Sequence, residues 1–275
     1  MKIYHYTSIQ ALALIIKNQT ILFNRLDNVD DLEESQYGSG PYNVKLAKYE
    51  FVSCWSKEPS ENISLWKMYA GFGGVRIAMD EDLFVSYCLA PGSPFKSYYK
   101  QLFNIEKDYC ATSVNNEVKL YDVTYCDDPE NKIKELIKHT DNGGIVLNTS
   151  KIGFYKRKEW AFQKESRFKI SIFPSDPYVF IKDPALTKSF MEGPIINGII
   201  AYTESIRRSI DNNYDPKVQR IFMPIKKEAL DSIEVMLGPC TTEADRIIVE
   251  ALLQGHKDSK ITDSYFRGKI RDKAN

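Results

Sequence analysis

Histidine is scarce in this sequence, and His5, His139 and His256 are too scattered to supply a dedicated metal cage, so no metal is expected. Recognised motifs are also missing: there is no P-loop, no G-x-S-x-G elbow, no H-E-x-x-H zinc helix and no EF-hand loop. Several large enzyme classes lose their support with them. Cysteine is sparse and odd in number. Cys54, Cys88, Cys110, Cys126 and Cys240 form no C-x-x-C pair, which argues against a disulfide framework or a zinc knuckle and for reduced cytosolic thiols. No apolar run approaches the ~20 residues that span a bilayer, and the opening MKIYHYTSIQ lacks a signal-peptide core. A cytoplasmic chain that makes no membrane contact is the expectation. Net charge is absent too: 37 Lys and Arg balance 37 Asp and Glu, leaving no global attraction for duplex DNA or an anionic membrane.

What is present suits a packed interior. Hydrophobic residues make up 43% of the 275 positions and the aromatics are spread along the chain, so one large core is the economical reading. The expectation is a single α+β domain over residues 1–254, followed by a polar, basic tail, 255–275, that frays.

Pattern then places elements. Residues 2–6 read as a strand, and Ser8 caps a helix whose apolar positions Ile9, Leu12, Ala13 and Ile16 share one face. A strand at 20–25 leads into an acidic run, 27–34, and a Gly/Ser/Pro/Asn loop at 38–43. Residues 50–56 are rich in β-formers. Pro59-Ser60 starts a helix with Trp66, Tyr69 and Ala70 on one side, the glycines from Gly71 to Gly74 end it, and 75–79 is another strand. Helical stretches are predicted around 81–89, 97–111 and 129–139, with a strand at 117–125. From 166 to 173 the alternation is clean: Phe168, Ile170 and Ile172 face a core, while Glu165, Arg167, Lys169 and Ser171 face water. Strands at 178–181, 195–202, 218–224 and 233–237 precede a helix capped by Thr241 or Thr242 and running to Gln254. No helix of crossover length joins these strands, so a mixed, mostly antiparallel sheet with flanking helices is expected.

Each candidate for chemistry has a structural counterpart. His5 ends the first strand, where its imidazole can meet a ligand hydroxyl while the neighbouring Tyr6 and Thr7 backbone receives an amide; the plain alternative is a partly buried strand histidine. Trp66 and Tyr69, one helical turn apart, can sandwich a flat heteroaromatic ring or simply belong to the core. Glu165 projecting from a strand suits stabilisation of a developing cation, with Arg167 holding it or binding a phosphate; the alternative is a cross-strand ion pair on a solvated face. The acidic run matches no Ca²⁺ loop and reads as solvated. Gly71-Phe72-Gly73-Gly74 precedes a strand, whereas phosphate-cradling loops follow one, so it reads as a tight turn. Cys54 reads as a buried small residue.

Tyr4-His5-Tyr6-Thr7-Ser8, Asn24-Arg25-Leu26-Asp27, Phe51-Val52-Ser53-Cys54-Trp55-Ser56, Trp66-x-x-Tyr69-Ala70 with Gly74-Val75, and Trp160-x-x-x-x-Glu165-x-Arg167 stand in that order. The set resembles the bacterial domain of unknown function 2971, from residue 2 to about 240. Two departures stand out: Gln163, where members often carry a second glutamate, and Asn28-Val29-Asp30-Asp31, where Asn-Asp-Pro is usual. A mechanism needing two carboxylates on that strand is therefore not implied. More distantly the layout is similar to ADP-ribosyltransferases of the diphtheria-toxin and DNA-modifying kind, an analogy at the level of fold. That resemblance implies NAD as substrate: His5 orienting it through a ribose hydroxyl, Tyr69 or Trp66 stacking on nicotinamide, and Glu165 as the catalytic residue, binding the 2′-hydroxyl and stabilising an oxocarbenium-like transition state. It implies a transferase or glycohydrolase in bacterial stress or phage defence, modifying a protein or nucleic-acid acceptor. The competing expectation is a non-catalytic ligand-sensing or protein-interaction module on the same fold.

Overall fold

The computed structural model describes residues 1–35, 45–88, 96–97, 103–104, 109–112, 119–134, 137–139, 145–147, 151–174, 208–210 and 212–272. The expected loop at 38–43 and strands at 178–181 and 195–202 lie outside the described residues. Secondary structure is mixed, with a mostly antiparallel sheet flanked by helices.

The opening follows local chemistry closely. Strand β1 (Lys2–Thr7) runs into helix α1 (Ile9–Asn18), where the Ser8 hydroxyl accepts the Ala11 amide and so satisfies one of the open N-terminal donors. Gln19, at positive φ, ends α1 and turns the chain into β2 (Thr20–Arg25). Strand β3 (Glu50–Ser56) precedes α2, a helix that begins at Ile63–Leu65 and widens into a π-helical turn, Trp66–Ala70. Its cap is Asn62, whose side chain accepts from Ser64 and Leu65, so the start falls later than Pro59-Ser60. Strand β4 (Val75–Asp80) follows the glycine turn. At Gly74 a Cβ would lie 2.3 Å from the Ala70 carbonyl and 2.6 Å from that of Thr7, so only glycine lets the turn close on β1.

Next among the labelled strands come β5 (Glu165–Pro174), β6 (Arg220–Pro224) and β7 (Glu234–Leu237); then helix α3 (Glu243–Leu253), capped by a Thr242–Asp245 capping box; then β8 (Lys260–Asp263). In the large sheet the order is β8-β7-β4-β1-β3-β5, continued beyond β5 by Tyr109–Thr112 and Phe103–Asn104. Strand β8 pairs parallel to β7, and Phe266 and Ile270 pack on the Trp66 cluster. The segment expected to fray is thus tied to the sheet, because its apolar side chains find a face that α2 leaves open. Strand backbone at 103–104 and 109–112 likewise replaces the helix expected over 97–111, and of the helix expected over 129–139 the part Pro129–Lys134 is helical while Ile137–His139 is strand. Aromatic and β-forming residues in the first stretch favour pairing over helical periodicity.

The decisive topological feature is a split. Both β1 and β2 pair with the same edge of β3, at opposite ends: β2 through Asn24 and Arg25 with Val52 and Phe51, and β1 only through Tyr4 with Ser56. Between these contacts β1 and β2 diverge. One core, containing Ile3, Phe23, Phe51, Trp55, Ile77, Phe168 and Ile170, fills the α1 side of the sheet. A second, with Leu26, Leu46, Tyr49, Val52, Ile152 and Phe173, covers the other face of β3 and β5. Both faces of β5 are therefore buried, and the face expected to meet water does not.

Candidate functional site

The split opens a cavity of about 450 Å³, lined by β1, α1, β2, β3, Tyr69 and the start of β5. Its outer part is apolar, with Ala11, Leu14, Leu22 and Phe222. Its inner part is polar, with the buried Lys156, Gln163, Glu165 and Arg167, while Asp30 is exposed.

The inner part rests on four buried charges. Arg167 donates Nε to Glu165 Oε1 at 2.5 Å and Nη2 to Glu165 Oε2 at 3.0 Å. Its Nη2 also reaches Glu34 Oε1 at 3.0 Å, and Nη1 donates to Glu34 Oε2 and to the Gly153 carbonyl, the latter at 2.8 Å. Lys156, on the strand Tyr155–Arg157, lies 3.0 Å from Glu165 Oε2, 3.1 Å from Glu34 Oε1 and 2.8 Å from Gln163 Oε1. Two carboxylates and two cations cancel, which makes their burial tolerable. Burial alone would raise the Glu165 carboxyl, but Arg167 and Lys156 together hold it down at about 2, so it is ionised. Burial likewise opposes charge on Lys156, yet Glu165 and Glu34 keep it above its ordinary range. Desolvation and the Glu165 carboxylate, to which the thiol hydrogen-bonds, push Cys54 well above its ordinary value.

Tyr69 extends the network outward. Gln163 Nε2 donates to its hydroxyl, which in turn donates to Asp30 Oδ2, each at 2.6 Å. Burial and the Asp30 carboxylate both raise the phenol. His5 reaches the cavity from elsewhere. Strand alternation with β4 puts its side chain on the α1 face, 5.1 Å from the Trp55 ring, whereas Glu165 leaves the opposite face; the gap between β1 and β2 is what lets both line one space. Its Nδ1 lies 2.7 Å from the Cys54 carbonyl, which only accepts, so Nδ1 carries the proton. Burial lowers the ring's pKa against that bond, which leaves Nε2 as an acceptor with no partner among the described residues.

Of the candidates, His5, Tyr6, Thr7, Tyr69, Glu165 and Arg167 all line the cavity. Trp66 does not. It is fully buried against Tyr6, Leu65 and Phe72, and its indole N–H donates to Glu61 Oε2 at 2.9 Å, which leaves it in the core rather than against a ligand. No sequence pattern marks Glu34, Lys156 or Gln163 as carrying chemistry. The acidic run expected to be solvated instead supplies specific partners: Asp27 to Arg25, Asp30 to Tyr69 and Glu34 to Arg167. An acid among many acids gives no local sign of which one folds inward. Among the described residues, no group of three or more metal-ligating side chains is gathered and no helix is long and apolar enough to cross a membrane. Comparison with known family profiles, curated proteins and solved structures gives no match.

Proposed function

We propose that the protein binds NAD in the cavity at the sheet split and cleaves its nicotinamide N-glycosidic bond beside Glu165, as an enzyme similar to ADP-ribosyltransferases. The observation that carries this reading is the meeting of His5, Tyr69 and Glu165 in one cavity despite their separation in sequence. In the reaction the C1′–N bond breaks, its electron pair leaves on nicotinamide, and an acceptor oxygen or nitrogen, or water, bonds C1′ while its proton passes to solvent. An ionised Glu165 stabilises the cation that develops at C1′. The Tyr69 ring stacks on nicotinamide, and His5 Nε2 accepts a ribose hydroxyl.

A second reading has its own observation. Three charge-assisted hydrogen bonds hold Glu165, as they would in a purely architectural network inside a ligand-sensing module. Nicotinamide release from NAD by the pure protein separates the two. On the enzyme reading, Glu165→Gln lowers that release by roughly 10²–10³. If wild type releases none with water, protein and nucleic acid as acceptors, the sensing module stands.

A further inference from the structure

We infer that Arg220, with the Asn24 amide beside it, seats a phosphate of the cavity's ligand, and that the neighbouring Leu22–Phe222 pair carries the base to which that phosphate belongs. The inference rests on the reading above for the ligand's name, NAD, whose adenylate half then lies on this part of the wall. The cations inside the cavity are already engaged: Lys156 with Gln163, Glu34 and Glu165, and Arg167 with Glu165, Glu34 and Gly153. On the elements that line the cavity, two cationic side chains make no hydrogen bond or ion pair with a described residue, Lys17 and Arg220. Lys17 stands in the last turn of α1, where its charge complements the carbonyl end of the helix, and it lies off the face formed by Ala11, Leu14 and Asn18. Arg220 has no such duty.

Strand register sets its surroundings. In the β2–β6 ladder Arg220 stands opposite Asn24, and Phe222 opposite Leu22. Directly paired residues project to one side of the ribbon with Cβ atoms about 4.5–5.5 Å apart. Burial shows which side. Leu22, Phe222 and Arg220 are exposed and Asn24 is half-buried, whereas Ile21, Phe23, Ile221 and Met223 enter the core. Asn24, Leu22 and Phe222 all line the cavity, so Arg220 stands one paired position from its wall. The Asn24 amide bonds no described residue either. A guanidinium grips two phosphate oxygens at once, and the amide N–H adds a neutral donor. The next pair lies two residues along, roughly 7 Å away at the rise of an antiparallel strand. There Leu22 and Phe222 are 37% and 56% exposed, an apolar pair held open to water at the cavity mouth. A nucleoside phosphate fits this layout, with a flat ring for Phe222 and Leu22 and an anion one pair away for Arg220. The start of α1, where Thr7 lines the wall, is the other anion-attracting feature of the cavity.

The test is calorimetric binding of adenosine and adenosine monophosphate to the full chain at fixed ionic strength, with Arg220→Gln and Lys17→Gln beside wild type. Both positions are exposed, and melting temperatures check that the variants fold. Wild type and Lys17→Gln are expected to bind the monophosphate on the order of ten-fold more tightly than adenosine, and Arg220→Gln to bind the two alike. A wild-type chain that binds the monophosphate no more tightly than adenosine, or binds neither, overturns the inference. So does a phosphate preference that survives in Arg220→Gln, which assigns the phosphate to Lys17 if that variant loses it and to the start of α1 if neither does. Nicotinamide release from NAD keeps the inference separable from the enzymatic reading. Arg220→Gln is expected to raise KM for NAD about ten-fold with kcat little changed, because the phosphate is held alike before and during bond cleavage. Release with an unchanged KM in that variant sustains the reaction and overturns the seat. No release, together with a monophosphate preference that needs Arg220, overturns the reaction and sustains the seat.

Discussion

The two faces of β5 are equally buried and chemically opposite. Phe168, Ile170 and Ile172 enter a dry core in which Phe168 meets Trp55 and Phe84 edge to face, while Glu165 and Arg167 enter a network of ions. Burial alone therefore says nothing of what holds a segment together. The apolar face is stabilised by area removed from water and by close packing, both insensitive to pH. The polar face persists only because every buried donor of Arg167 and Lys156 has a partner.

The largest effect that tests this contrast comes from Arg167→Ala. It leaves Glu34 and Glu165 buried with Lys156 as their only shared cation and should cost about 3–5 kcal/mol. Phe168→Ala should cost a similar amount, about 3–5 kcal/mol, through a cavity. Rescue and pH separate the two. Adding Glu165→Gln should restore part of the Arg167→Ala loss and none of the Phe168→Ala loss, as read from chemical denaturation of the single and double variants. Equal rescue of both would mean that the network is not held by its charges.

Acid comes next in size. Glu165 titrates at about 2 in the folded chain against an ordinary 4.5, so its stabilisation is complete above 4.5 and lost as pH falls through 2, by at most about 3 kcal/mol. Glu50, on the same side of the sheet, has the opposite sign. Burial raises its carboxyl, Oε1 has no hydrogen-bond partner, and its contribution is full below its ordinary 4.5 and declines as pH rises through its elevated value. From these two groups alone stability peaks near pH 4.5. In Glu50→Gln the decline on the alkaline side of that peak should shrink to what the raised Asp31 carboxyl contributes while the acid limb stays, as urea denaturation across the pH range would reveal. An unchanged alkaline limb would show that Glu50 does not sense pH.

How much of this could be read in sequence follows the range of the interactions. Caps at Ser8 and Thr242, the extents of β2 and β3 and the alternation in β5 are set by neighbours within a few residues, and they appear where the pattern puts them. The split between β1 and β2 depends on where two strands stop pairing with a third, which no local pattern encodes. The burial of Glu34 is likewise a long-range outcome, set by the Arg167 fork that meets it. Alternation predicted which side chains share a face of β5 but not that both faces would be covered, because the covering segments, around Leu46 and Ile152, lie far away in sequence.

The smallest predicted effect concerns Tyr69, where the polar network meets the cavity and the two kinds of stabilisation meet in one side chain. Tyr69→Phe removes the hydroxyl between Gln163 and Asp30 and keeps the ring. Asp30 and the 41%-exposed Tyr69 are open to water, so the lost bonds are largely replaced and the thermal denaturation should report a loss of about 1 kcal/mol, chiefly from the buried Gln163 amide. On the proposed reading, because a phenyl ring stacks on nicotinamide nearly as well as a phenol, nicotinamide release should fall by less than about ten-fold in Tyr69→Phe and by more in Tyr69→Ala. Equal losses in the two variants would show that the ring makes no contact with the ligand and would return Tyr69 to the architecture of the network. A Tyr69→Phe variant that releases no nicotinamide but is folded would instead place the hydroxyl, aligned by Asp30 and Gln163, among the reacting groups.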